Sequence, residues 1–202
     1  MPSPAPTTSL KPSLPSKPGL STVAIIGAGP LGRRLALSAA RAGFRVLLED
    51  VMPANLHHAR EALRGQLGPE AFLGAAPNVA LVSTIEDAVR SADLAIDCVP
   101  DELESKLEIL WLLDRMAPPR TVLATPTTRL SIADLANCTC RPDKCVSIAA
   151  EASRLAAGSS NQILLRTTAR TSPQTVALVE DFWRRLGFTP TFAPDPAEHR
   201  AS

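Results

Sequence analysis

From Thr22 onward the chain alternates short, continuous apolar runs with longer segments of helical period. "TVAIIG", "RVLLED", "NVALVS", "DLAIDCV", "TVLAT", "CVSIAA", "QILLRT" and "FTPTFA" are too short for helices and rich in β-branched residues, so each reads as a strand. Between them lie "PLGRRLALSAARAG", "PANLHHAREALRGQL", "IEDAVRSA", "DELESKLEILWLLDRMA", "SIADLANC" and "SPQTVALVEDFWRRLG", which read as helices. Gly43 stops the first, and Pro118 and Pro119 stop the fourth. Strands that are apolar throughout are buried on both faces, whereas alternating strands are half-exposed. The pattern therefore predicts an α/β fold: a doubly wound, mostly parallel sheet with helices on both sides.

The first twenty residues break this pattern. They contain six prolines, two lysines and no acid, a composition that cannot bury apolar surface. The expected organisation is a disordered leader at 1–20, one folded domain at 21–193 and a tail at 194–202. A targeting peptide or a proline-rich docking segment is the functional alternative for the leader, although it lacks Arg and helical amphipathicity.

Composition removes several classes. Of 202 residues, 45% are hydrophobic and 20% charged, with a net charge of +1, so there is no bulk electrostatic pull toward nucleic acid or membrane. Aromatics make up 3% and Tyr is absent, which argues against base-stacking surfaces. No apolar run approaches the ~18 residues of a membrane span. Four cysteines without even spacing do not make a disulfide framework, and a reducing cytoplasm is expected.

"VAIIGAGPLGRR" carries chemistry. Gly27, Gly29 and Gly32 form a G-x-G-x-x-G turn directly after a strand and at the start of a helix. The first glycine allows the tight turn, the second lets a pyrophosphate reach the backbone, and the third lets helix and strand pack closely. Pro30 suits the first helical turn, which needs no N–H from it, and Leu31 follows as its first apolar residue. Asp50 ends the next strand, eighteen residues after Gly32. A carboxylate there accepts both ribose hydroxyls and repels a 2′-phosphate, and "VMPAN" offers no Arg to hold one, so NAD is expected over NADP. The alternative is a turn of this shape that binds nothing.

With "SADLAIDCVPDELESKLEILWLLDRMAPPRTVLATPTTRLSIADLA", these features resemble the Rossmann-type NAD-binding domain of 3-hydroxyacyl-CoA dehydrogenases over residues 21–192. That family carries an acidic strand end, a V-P-E-x-x-x-x-K helix, a proline-rich stop and an A-S-N-T-S-S-L-S-I turn. The resemblance implies that Val99 and Asp101 sit near the nicotinamide ribose and that Lys106 reaches back toward the cofactor. Read from the residues alone, Lys106 is equally an i,i+4 partner of Glu102 on a solvated helix face.

The departures fall on the chemistry. Where the family has an Asn and a Ser after the fifth strand, this chain has Pro126 and Thr128. The family's H-F-F-N-P aligns with "AAEAS", so its proton-transferring His falls on Ala149 and its Asn on Ala152, and the orienting Glu falls near Gln162 or Ile163. His57, His58 and His199 read as solvated surface residues. General-base assistance contributes about 10²–10⁴-fold, so the resemblance implies NAD binding with weak or absent hydride transfer. It also implies an acyl-CoA ligand and, since the family has a further helical domain, a cleft open to water unless another chain covers it. The alternatives are a working 3-hydroxyacyl-CoA dehydrogenase of fatty-acid or hydroxybutyryl-CoA metabolism with Thr128 and Glu151 in a rearranged site, and a non-catalytic NAD-responsive interaction module.

Two other stretches draw notice. "CTCRPDKC" brings Cys138, Cys140 and Cys145 close in sequence, as a soft-metal cluster or as an ordinary surface loop. "LEILWLLDRM" with Trp111 reads as a core stripe rather than a ligand box.

Overall fold

The computed structural model describes residues 19–73, 78–149 and 161–197. Its strands are β1 (Thr22–Ile26), β2 (Arg45–Glu49), β3 (Val79–Val82), β4 (Leu94–Asp97), β5 (Val122–Pro126), β6 (Cys145–Ile148), β7 (Gln162–Thr167) and β8 (Thr189–Pro194). They form one sheet in the order β3-β2-β1-β4-β5-β6-β7-β8. All neighbours are parallel except β6 and β7, which run antiparallel. The expected doubly wound sheet is present, and its strand order reverses between β1 and β4, the point at which such sheets open a crevice at the strands' carboxyl ends.

The helices are α1 (Pro30–Arg41), α2 (Pro53–Leu67), α3 (Ile85–Val89), α4 (Leu103–Met116), α5 (Ile132–Asn137) and α6 (Pro173–Arg185). Thr84, Ser131 and Ser172 start α3, α5 and α6 by accepting the amides of Asp87, Asp134 and Thr175 on their hydroxyl oxygens. One face of the sheet packs Leu31 and Leu35 of α1, Leu63 of α2 and Val179, Phe182 and Trp183 of α6. The other packs Val89 of α3, Leu110 and Leu113 of α4 and Leu135 of α5. Each central strand contributes to both clusters, which is why its sequence shows no alternation.

Packing extends slightly past the boundaries expected from sequence. Leu20 is buried ahead of β1, and its carbonyl accepts from Arg185 at 3.1 Å. Beyond β8, Asp195 is buried and fixes the start of α5, accepting Ser131 Oγ at 2.8 Å and the Ala133 amide at 2.9 Å. β8 is one of the two outer strands and carries Pro190 and Pro194.

Trp111 is not core, contrary to its reading as part of the apolar stripe. Its ring is about half-exposed, with the Arg115 guanidinium 4.8 Å from its centroid, whereas Leu110 and Leu113 on the adjacent face of α4 are buried. The stripe is narrower than its composition suggests, and Trp111 faces water under a cation–π cover.

The cysteine-rich loop is held by an arginine. Arg141 donates to Asp114 Oδ1 at 2.8 Å and to the carbonyls of Asp114, Ala117 and Pro118, the unpaired acceptors at the end of α4. Cys145 is buried beside Thr139, Cys138 donates to the Leu135 carbonyl, and Cys140 is exposed. Burial pushes the Cys138 thiol up, and the Cys145 thiol up to about 11. The three sulfurs do not converge, and among the described residues no group of His, Cys, Asp and Glu is placed to hold a metal ion. No helix among those residues is long and apolar enough to cross a membrane.

Candidate functional site

β1 delivers Ile26 to the crevice, and the chain turns at once into α1. Gly27 has φ +101°, a conformation L side chains rarely adopt, and an added Cβ would stand 3.2 Å from the Cys98 carbonyl oxygen. At Gly32 an added Cβ would lie 1.8 Å from the Gly27 carbonyl oxygen, so helix and strand meet with no room for a side chain. At Gly29 an added Cβ would meet nothing within 4 Å. A glycine the protein itself does not require, facing open space at a helix N-terminus, is the arrangement a pyrophosphate needs to reach the backbone amides. Pro30 occupies the first helical position, and Leu31 is buried behind the turn. The cradle therefore fits a dinucleotide.

Asp50 stands beside this turn at the end of β2. Its carboxylate accepts the Ala28 amide at 2.8 Å, the Met52 amide at 2.8 Å and both arms of a forked bond from Asn55 Nδ2 at 3.1 Å. The acid is thus locked onto the glycine turn itself. Two of these donors are backbone amides fixed by the fold, and the third is a side-chain amide on α2. Glu49, one residue earlier, is also buried; burial first, and then the neighbouring Asp50 charge, raise its carboxyl to about 7. The charge at this strand end is therefore mainly that of Asp50, and a carboxylate there disfavours a 2′-phosphate.

Further along the crevice, Lys106 departs from its reading as a solvated partner of Glu102. It is 1% exposed, with Nζ 3.2 Å from Asp97 Oδ2 and 3.2 Å from the Val99 carbonyl oxygen. The side chain reaches back from α4 to the strand edge, where its ammonium goes to Asp97 and Val99. Asp97 also accepts Thr125 Oγ1 at 2.8 Å and the Val99 amide at 2.9 Å. Burial pushes its carboxyl up, opposed foremost by the Lys106 charge. Val99 is therefore clamped through both backbone groups, and its partly buried side chain packs against the α3–α5 side of the core.

Asp101 receives the Thr128 amide on Oδ2 at 3.3 Å, while its Oδ1 is buried without a partner. Thr128 is exposed at the β5–α5 turn, and Thr127 holds that turn by accepting the amides of Arg129 and Leu130. Pro126 is buried at the end of β5 and offers no side-chain amide. Ala149 follows β6 and donates its amide to the Leu164 carbonyl at 2.8 Å. In the antiparallel ladder the position across from Ala149 is thus Leu164. No titratable side chain stands on either partner. Glu151 and Ala152 lie outside the described residues. His57 and His58 are exposed on α2, with His57 3.5 Å from Glu61.

Sequence reasoning missed a polar row beneath this edge. Asp97, Thr125, Ser147 and Arg166 stand on consecutive strands β4 to β7 at one level, facing the α4–α5 side. The signal was a polar residue within each otherwise apolar run.

The profile described as 3-hydroxyacyl-CoA dehydrogenase, NAD binding domain, matches residues 22–150. A probable 3-hydroxybutyryl-CoA dehydrogenase of Bacillus subtilis is 31% identical over 136 residues, covering 63% of this chain and 47% of its own length. The 5-formyl-3-hydroxy-2-methylpyridine 4-carboxylate 5-dehydrogenase of Mesorhizobium japonicum is 30% identical over 186 residues, covering 85% of this chain and 56% of its own. Among solved structures, a diketoreductase superposes with TM-score 0.75 at 26% identity, over 88% of this chain and 65% of that one. The chain spans about half the length of the curated relatives it matches.

Proposed function

From a chain that belongs to the 3-hydroxyacyl-CoA dehydrogenase family by its NAD-binding domain, we propose a protein that binds NAD and by itself transfers hydride weakly or not at all. NAD lies across the glycine turn, with its pyrophosphate at Gly29, its adenosine ribose toward Asp50 and its nicotinamide ribose toward Val99 and Asp101. Bound there, it supplies a hydride acceptor. The chain's own residues position it: α1 presents free amides, Asp50 exchanges Asn55 for ribose hydroxyls, and Lys106 fixes the Val99 carbonyl from below.

The observation that carries the weak-transfer reading is the pair Ala149–Leu164. A base needs a titratable atom within hydrogen-bond reach of the reacting hydroxyl, and this pair of backbone-bonded apolar residues offers none. Thr128 and Glu151 are the substitutes a rearranged site would use, the first as a hydrogen-bond donor and the second as a base. Acyl-CoA is the ligand the family favours, with a covering chain as the route by which the cleft would be closed.

NAD and NADP titration, with acetoacetyl-CoA reduction assayed on the same sample, tests this. Saturable NAD binding, weaker NADP binding and reduction near background are expected. Reduction at rates typical of an enzyme would refute the weak-transfer reading, and loss of that rate in Glu151→Gln would assign the base. Absence of any NAD binding would refute the proposal as a whole.

The Mesorhizobium relative aligns with more of this chain than the Bacillus one, and its named substrate is a pyridine carboxylate rather than a thioester. Small acids therefore belong beside acyl-CoA in that assay.

A further inference from the structure

The polar row ends at Arg166, and Arg166 opens onto a cleft. This hollow of about 280 Å³ is lined by Thr128, Arg129 and Ser131 of the β5–α5 turn, Arg166 of β7, and Asp195 and Ala197 after β8. Two guanidinium groups line it, and they are not equivalent. Arg129 is tethered: its Nη2 donates to the Asp101 carbonyl at 2.6 Å, and its Nε lies 4.0 Å from Asp101 Oδ2. Arg166 is half-buried and, among the described residues, forms no ion pair.

The nearest lining acid is turned away. Asp195 gives one oxygen to Ser131 and the Ala133 amide and the other to the Ala197 amide, and it is 2% exposed. Directly across the ladder from Arg166, on the same face, Ser147 is fully buried and its Oγ has no hydrogen-bond partner. A half-buried cation with no counter-ion among the described residues leaves charge that a ligand in the cleft would complete.

We propose that this cleft binds the carboxylate of a small organic acid, with Arg166 as its anchoring cation. The guanidinium fork matches a carboxylate through two parallel N–H···O bonds. The hollow is at the lower end of the range for small-molecule pockets and far too small for a whole coenzyme A. The Asp195 carboxylate is part of its lining, and a fixed negative charge opposes a phosphate dianion more than a carboxylate monoanion. Thr128 lies on its rim, so an acid held by Arg166 would extend past Thr128 toward the strand edge that carries Val99. The assignment names the substrate class of the cleft described above and rests on the reading of that edge as the nicotinamide side.

Calorimetric titration of the full chain, without NAD, tests it with 3-hydroxybutyrate, succinate and pyridine-4-carboxylate, and with coenzyme A and inorganic phosphate in parallel. At least one carboxylate is expected to bind saturably, with affinity falling roughly 10-fold or more in Arg166→Gln and partly kept in Arg166→Lys. NAD titration of the same variants is expected to match the wild type, which shows that they fold. Carboxylate binding unchanged in Arg166→Gln, or no carboxylate binding at all, would overturn the proposal. Binding confined to coenzyme A and phosphate and dependent on Arg166 would overturn it in favour of a phosphate site. A wild type that binds carboxylate but not NAD would refute the dinucleotide reading and leave this one standing.

Discussion

Lys106 Nζ lies 3.2 Å from Asp97 Oδ2, and both side chains are sealed from solvent. Removing one partner leaves a buried charge with no water to solvate it. Lys106→Met is therefore expected to cost about 3–5 kcal/mol, measured by urea denaturation. Lys106→Met with Asp97→Asn should recover most of that loss, since the carboxylate no longer has to be charged. A single variant as stable as the wild type would show that the pair does not hold α4 to the sheet.

The glycine turn separates folding from binding. Gly32→Ala forces a methyl against the Gly27 carbonyl and should lower both melting temperature and NAD affinity. Gly29→Ala meets no protein atom, so its stability should stay within about 0.5 kcal/mol of the wild type while NAD affinity falls. Equal NAD affinity in Gly29→Ala and wild type would mean that the pyrophosphate does not approach this backbone.

Glu49 gives stability a pH dependence whose sign follows from its shift. The native state keeps the proton up to about pH 7, whereas the unfolded chain releases it near 4.5. Between those values unfolding releases a proton, so stability falls as pH rises and the penalty is complete above pH 7. Glu49→Gln should flatten that slope and gain most over the wild type at pH 8. Parallel denaturation curves of the two proteins from pH 5 to 8 would rule this out.

Arg141 closes the end of α4 through one carboxylate and three carbonyls. Arg141→Ala should cost about 2–3 kcal/mol and expose Cys145 to thiol reagents that, in the wild type, reach Cys140 first. A thiol-labelling time course compares the two. Unchanged protection of Cys145 would show that the loop is held by other contacts.

Much of this architecture was legible in the chain. Apolar runs such as "TVAII" and "LAI" reveal strands buried on both faces, and glycines at 27, 29 and 32 reveal the tight turn between β1 and α1, because each follows from local sterics. The direction of β7 was not legible, since a reversed strand and a parallel one share the same apolar run. Leu164 as the partner of Ala149 depends on that direction. Lys106 misled for a similar reason: its spacing from Glu102 is a local rule, whereas its ion pair joins α4 to β4. Arg166 looked like one polar residue in "QILLRT", and only the ladder sets it beside Ser147.

The edge strand limits how this molecule can meet others. The amides of Thr189 and Asp195 point inward, to the carbonyls of Asn161 and Thr167, so by alternation those of residues 190, 192 and 194 point outward. Two of these three are prolines and carry no hydrogen. Phe192 alone offers a donor along that margin, too little to template a ninth strand. On this side a companion chain must therefore dock by side chains, because the sheet cannot be lengthened from β8.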